Sequence, residues 1–164
     1  MSRPDDRLLG EIESLYGERF ADFIGVAASI VGDRDAAREA VQEAFASIVR
    51  ARHGLRREGA LEAWVWRAVI NAARKQRRGL RRQPLLEERP STNGDAPEPR
   101  ERSELAALVA ALPERQRLIL FLRYYADLDY REIARILEVK TGTVSASLHA
   151  AHATLRRKLG EVRT

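Results

Sequence analysis

The chain has 164 residues, 45% of them apolar and 32% charged, and a formal net charge of +5. That is enough apolar side chain for a packed core beneath an ion-rich surface. The absence of cysteine excludes disulfides, thiolate metal sites and cysteine nucleophiles together, and it fits a reducing cytoplasm. The N-terminus shows no apolar signal core and the longest apolar run, Leu105–Leu112, is too short to span a bilayer, so neither secretion nor membrane insertion is expected.

The charge is arranged in alternating blocks. Residues 1–50 carry six Arg/Lys against ten Asp/Glu, whereas residues 51–89 carry eleven against four. Residues 90–112 are acidic again, with two against four, and residues 113–164 are basic, with ten against six. A polyanion would meet two separate basic surfaces, with the acidic first block turned away from it or toward a protein.

Taken in order, Ile12, Leu15, Tyr16, Phe20, Phe23, Ile24, Ala27, Ile30 and Val31 have the spacing of a helix with one buried stripe. "GDRD" ends it, with Gly32 suited to a C-terminal cap and Asp33 to the next N-cap. The second helix buries Ala37, Ala40, Val41, Ala44, Phe45 and Ile48 and displays Arg38, Glu39, Gln42 and Glu43. After a basic loop with two glycines, a third helix is predicted to bury Leu61, Trp64, Val65, Ala68 and Ala72, leaving Arg67, Asn71, Arg74 and Lys75 outside.

Four of the six prolines, Pro84, Pro90, Pro97 and Pro99, then fall around "STNGD", where no hydrophobic period survives, so residues 83–103 read as a linker. It separates a domain over 8–82 from one over 104–164. In the latter, Leu105, Leu108, Val109 and Leu112 predict a short helix stopped by Pro113, and Glu114–Tyr125 a second that buries Leu118, Ile119 and Leu122, with Tyr125 a further candidate for burial. "DYRE" predicts a capping box between Asp129 and Glu132 at the start of a third helix, which buries Ile133, Ile136 and Leu137. The turn "EVKT" leads to a fourth helix with Val144, Leu148, Ala151 and Leu155 inward. No strand alternation occurs, so the expected fold is all-α with two small helical domains.

A helix, a short turn and a second helix opening on small residues form a helix-turn-helix pattern, whose second helix presents its first turns to the major groove. The exposed positions would be Lys140, Thr141, Thr143, Ser145, Ala146 and His149. Only one is charged, and because phosphate contacts carry most of the affinity, such a helix binds weakly alone. Residues 52–82 offer a second module, in which arginines accompany Trp64, Trp66 and Asn71, a mixture able to grip a strand backbone and stack on a base. Trp64, on the predicted stripe, belongs to the core, whereas for Trp66, off the stripe, core and surface both stay open.

The segments "GDRDAAREAVQEAF", "LEAWVWRAVINAARK" and "ALPERQRLILFLRYYADLDYREIARILEVKTGTVSASLHAAHATLRRKL", in that order around the linker, resemble the two conserved regions of a bacterial RNA polymerase sigma factor of the extracytoplasmic-function (ECF) type. The resemblance implies a first domain that docks on the β′ clamp of core RNA polymerase and captures the melted minus-ten element. It implies a second that sits on the β flap and reads the minus-thirty-five element of promoter DNA. By position, Arg38, Glu39, Gln42 and Glu43 would form the core-polymerase face. Arg52, Arg56, Arg57, Trp66, Arg67, Asn71, Arg74, Lys75 and Arg78 would hold the single strand. Tyr130 and Arg131 would touch phosphates, with Lys140, Thr141, Thr143, Ser145, Ala146 and His149 reading the duplex. An anti-sigma factor is a further partner that the resemblance admits.

The sequence departs from the family pattern at Arg38, usually acidic, at Ile70, usually arginine, at Glu138, usually glycine, and at Ser145 and Ser147, usually cationic. The last two imply weak upstream binding. Two other readings use the same features: a helix-turn-helix regulator that is not a sigma factor, and a degenerate sigma paralogue acting through protein contacts alone. An enzyme is not expected. His149 and His152 lack an accompanying carboxylate and make a poor metal site, and no nucleophile–base pair or phosphate-cradling loop is evident, so no catalytic residue, metal, cofactor or small-molecule substrate is predicted.

Overall fold

The computed structural model describes residues 3–54, 61–82 and 100–162, and these residues form helices without a strand. In chain order the helices are α1 (Pro4–Val31), α2 (Arg34–Ala51), α3 (Leu61–Arg82), α4 (Arg100–Ala110), α5 (Glu114–Leu120), α6 (Tyr130–Leu137) and α7 (Thr141–Val162). A 3-10 turn at Arg52–Gly54 follows α2. Of the expected linker, residues 83–99 lie outside the described residues, and residues 100–103 belong to α4.

The first module, α1–α3, owes its boundaries to local chemistry. Pro4 opens α1, and Gly32, at φ +84°, closes it by returning its N–H to the Ala28 carbonyl at 2.8 Å. The Asp33 carboxylate accepts from the Ala36 N–H at 2.8 Å and starts α2. The three helices close on Ile12, Phe23, Val41, Phe45, Ile48, Val65, Trp66 and Val69. Phe23 sits at the centre, its ring 4.5 Å from that of Trp66 and 5.4 Å from that of Phe45.

Trp66 corrects the sequence reading. It is fully buried, whereas Trp64 is only half-buried. The buried positions of α3 are Ala63, Val65, Trp66, Val69, Ile70 and Ala73, and the expected Leu61, Ala68 and Ala72 pack at the margin. A single-stripe assumption fails because α3 is covered on two sides, by α1 and α2 on one and by α6 on the other.

In the second module α4 stands off: Leu105 is exposed, contrary to expectation, and Val109 lines an open groove of about 1020 Å³ with Ile30, Val31 and Leu80. The predicted helix from Glu114 to Tyr125 is α-helical only to Leu120. Phe121–Tyr125 form a wider π-type turn, closed by the Ala126 N–H on the Phe121 carbonyl at 3.0 Å. The capping box at α6 is present: Asp129 accepts from the Glu132 N–H at 2.8 Å, and the Asp129 N–H donates to the Glu132 carboxylate at 2.7 Å. Glu138 then takes the left-handed conformation, φ 55°, and Val144, Leu148 and Ala151 seat α7 on the core. Leu155 packs beside them, half-buried.

The modules pack against each other along α1 and α3. Phe23–Ala27 are five consecutive buried residues, which a helix covered on one face only cannot have. The second cover is the π-type turn, whose Tyr125 ring lies over Gly25; a β-carbon there would fall 2.0 Å from the ring. Gly25 is therefore required by close approach rather than by its backbone angle. Arg117 donates to the Ser29 carbonyl at 2.8 Å, in the last turn of α1, where carbonyls lack helical partners and α1 supplies no basic side chain of its own. The same guanidinium reaches the Ala110 and Leu112 carbonyls, tying the end of α4 to the end of α1. Arg19 of α1 mirrors it, donating to the Ala126 carbonyl at 2.8 Å.

Candidate nucleic-acid and protein-docking faces

Arg38, Glu39, Gln42 and Glu43 are all exposed on α2, because Ala37, Ala40, Val41 and Ala44 take the opposite side into the core. Gln76 of α3 donates to Glu39 at 2.9 Å, and Arg50 donates to Glu43 at 3.3 Å. The Glu43 side chain remains 64% exposed in that pair, so its charge stays available.

The basic set on and before α3 is distributed rather than continuous. Arg52 turns back to cap the Val49 carbonyl at 2.6 Å. Arg56 and Arg57 lie outside the described residues. Trp66 is enclosed by the core and offers no ring face to a base in this arrangement. Asn71 and Lys75 are exposed and line a groove of about 460 Å³ between α2 and α3, opposite Glu43 and Ser47. Arg78 is exposed further along.

Arg67 and Arg74 face the other way. Arg67 meets Glu138 at 2.8 Å and Arg74 meets Glu114 at 2.9 Å, both carboxylates belonging to the second module. Arg77 reaches the second oxygen of Glu114 at 3.2 Å. Burial alone would raise the Glu114 carboxyl, but the Arg74 hydrogen bond and the charges of Arg74, Arg77 and Arg117 outweigh it and hold the group below its ordinary value. Burial also draws the Arg117 guanidinium below its ordinary value, with the Arg77 charge adding to the effect and Glu114 opposing it.

Arg77, Glu114 and Arg117 were not singled out from the sequence. A carboxylate in the first turn of α5 is already accounted for by the helix dipole, and nothing local announces a partner forty residues away. Glu138 was noticed as a departure, and its left-handed backbone was the available signal.

Lys140, Thr141, Ser145, Ala146 and His149 are exposed along the first turns of α7, with Thr143 half-buried among them. Tyr130 and Arg131, both exposed, begin α6, and the Arg123 guanidinium lies 6.0 Å from the Tyr130 ring. His152 is engaged elsewhere, its ring nitrogen 2.8 Å from the Tyr124 hydroxyl. Among the described residues no group of three or more His, Cys, Asp and Glu could hold a metal ion, and no helix is long and apolar enough to cross a membrane.

Comparison with known proteins interprets these faces. The family models Sigma-70 region 2 and Sigma-70 region 4 match residues 15–83 and 102–155, in that order. The chain belongs to the sigma-70 family, as a sigma factor of the ECF type. It is 29% identical to an RNA polymerase sigma-H factor of Pseudomonas aeruginosa, over 83% of this chain and 79% of the relative. It is 27% identical to an ECF RNA polymerase sigma-E factor of Escherichia coli, over 74% and 72% of the two chains.

In fold this sigma factor resembles CnrH, solved in complex with the cytosolic domain of CnrY, with a TM-score of 0.69 and 18% identity over 92% of this chain and 88% of that one. It also resembles RpoE of Bartonella quintana, solved with the anti-sigma factor NepR, with a TM-score of 0.65 and 18% identity over 90% and 98%. A sigma factor directs transcription initiation, and the family is one of non-enzymatic initiation factors.

Proposed function

We propose that this sigma factor binds core RNA polymerase through the α2 face of Arg38, Glu39, Gln42 and Glu43 and divides promoter DNA between its modules. Residues 8–82 take the melted minus-ten strand, residues 83–99 are the tether, and the second module, which opens with α4 at Arg100, takes the minus-thirty-five duplex. Arg52, Arg56, Arg57, Arg67, Asn71, Arg74, Lys75 and Arg78 supply the strand contacts. Trp66, enclosed by the core, is withdrawn from that set. Tyr130 and Arg131 contact phosphates, and Lys140, Thr141, Thr143, Ser145, Ala146 and His149 meet base edges.

The observation that supports this most directly is the α7 start, where Val144 and Leu148 are buried while Thr141, Ser145, Ala146 and His149 stay exposed, as do Tyr130 and Arg131 at the start of α6. The chain itself carries out no chemistry, takes no cofactor and acts in the cytoplasm beside the polymerase. An anti-sigma factor is the fitting protein partner, since both solved relatives were captured with another protein bound.

Runoff transcription with purified core polymerase tests the proposal: promoter-dependent transcripts are expected, and their absence across a promoter library overturns it. A Glu39→Lys/Glu43→Lys variant should bind core at least about tenfold more weakly, which corresponds to about 1.4 kcal/mol, with unchanged helix content by circular dichroism.

A further inference from the structure

From Thr141 to Leu155, α7 carries no lysine, arginine, aspartate or glutamate. Three cations in a row then follow, Arg156, Arg157 and Lys158. Arg156 and Arg157 are exposed, as are Ala146, His149 and Ala153 before them, whereas Lys158 is half-buried. At about 100° per residue, Gly142, Ala146, His149, Ala153, Arg156 and Arg157 fall within one arc of about 100°, with the two arginines at its opposite edges. Val144, Leu148 and Ala151 are buried on the other side of the helix. The ridge that carries Ala146 and His149 therefore runs on, without a change of face, into a pair of guanidinium groups.

We propose that Arg156 and Arg157 grip the phosphates of the minus-thirty-five duplex, supplying from further along α7 the charge that its first three turns lack. The proposal rests on the reading of the α7 start as the duplex-reading face. From Gly142 to Ala153 the ridge runs about 17 Å at about 1.5 Å per residue, and the major groove is about 12 Å wide. With Ala146 and His149 at the base edges, Arg156 and Arg157 stand about 10 to 12 Å beyond His149 along the axis. That brings them to the rim of the groove, where phosphates lie and base edges do not.

Side-chain direction agrees with this placement. Side chains on a helix lean toward its N-terminus, and the Arg156 Nε lies 3.5 Å from the His152 carbonyl, one turn back. The guanidinium is thus held beside the ridge rather than extended past the helix end. The carboxylates nearest in sequence are Glu138, which pairs with Arg67, and Glu161, one turn beyond Arg157. An exposed pair at that i,i+4 spacing is weak and readily exchanged for a phosphate.

Phosphate contacts position a protein on DNA and carry no sequence information directly. The two arginines should therefore raise affinity for every duplex alike, leaving selection to the residues from Lys140 to His149. The test titrates the full chain with two fluorescent duplexes of equal length: a random-sequence pool, and the member of that pool that wild type binds best. Arg156→Gln/Arg157→Gln should weaken binding to both about tenfold at low salt. It should also reduce the salt slope by about 1.8, two contacts at about 0.9 each, with unchanged helix content by circular dichroism. Arg156→Lys/Arg157→Lys keeps the charge and should keep the slope. Arg7→Gln/Arg34→Gln removes the same charge at exposed positions in the first turns of α1 and α2 and should match wild type.

Unchanged binding by the glutamine variant, an equal loss in the control, or a slope lost even with lysine overturns the proposal. Ala146→Glu, which sets an anion in the middle of the ridge, separates it from the reading beneath it and should weaken binding to both duplexes at least about tenfold. If Ala146→Glu binds as tightly as wild type, α7 does not face the duplex and both ideas fall. If it weakens binding while the glutamine variant does not, the duplex-reading face stands and the arginine grip alone is wrong.

Discussion

The two modules solve the same problem, making a stable helical unit from a short chain, with unequal means. The first has an interior of its own, built on Phe23, Phe45 and Trp66 with aliphatic side chains from three helices. The second has fewer large residues to bury and borrows cover from the first: Tyr125 and Phe121 pack toward α1, and Leu128 and Ile136 toward Trp66. Small cores are marginal, so a module that leans on its neighbour is also the one free to leave it. Stability and mobility are thus assigned to different halves of the chain.

The largest break in that comparison should come from the first interior. Trp66→Ala removes a fully buried indole and should cost about 3–5 kcal/mol in denaturant unfolding, whereas Trp64→Ala, at a half-buried position, should cost about 1 kcal/mol. A larger cost for Trp64→Ala than for Trp66→Ala would mean that Trp64, on the stripe predicted from the sequence, fills the interior in place of Trp66. Next comes the face the second module keeps open. Ser145→Lys/Ser147→Arg should tighten duplex binding about tenfold at low salt and steepen its salt slope by up to about 1.8, two contacts at about 0.9 each. A Ser145→Ala/Ser147→Ala chain should leave the salt slope unchanged, since it alters no charge.

A smaller loss, about 1 kcal/mol, is expected from Asp129→Ala, which removes the N-cap of α6. Comparing its thermal unfolding with that of Asp33→Ala tells the modules apart. Both lose one capping bond, but α6 is eight residues long and α2 eighteen, so the second module should show the greater local opening in hydrogen exchange.

These caps were legible in the sequence because the information is local: Asp33 and Asp129 are read from three or four residues, and Gly32 from its place after an apolar period. The seven α-helices of the described residues and the exposed α2 and α7 faces followed from periodicity in the same way. What periodicity could not deliver was the second cover on α1 and α3. Trp66 was left off the buried stripe because one stripe was assumed for a helix that buries two, and Leu105 was placed inside because α4 was assumed to pack fully. The pairs Arg67–Glu138 and Arg74–Glu114 bridge distant parts of the chain, and each residue alone resembles an ordinary surface charge. Only tertiary proximity gives them a joint meaning.

The smallest effect is the one that reports most directly on the joint between the modules. The Glu114 carboxyl is held below its ordinary value of 4.5 by Arg74, Arg77 and Arg117 acting against burial. A group with a depressed folded value stabilises the state that depresses it at any pH above its unfolded value, and that contribution disappears as pH falls through the folded value. The seam should therefore be indifferent to pH through neutrality and loosen only in acid below about 4.5. Because the Arg74 side chain is 40% exposed, solvent screening keeps the change below about 1 kcal/mol. Other carboxylates titrate over the same range, so wild type alone cannot isolate the effect, whereas its difference from Glu114→Gln can. That variant should already have the weaker seam at neutral pH and lose less on acidification. Parallel acid transitions in the two chains would place the stabilising charge somewhere other than Glu114.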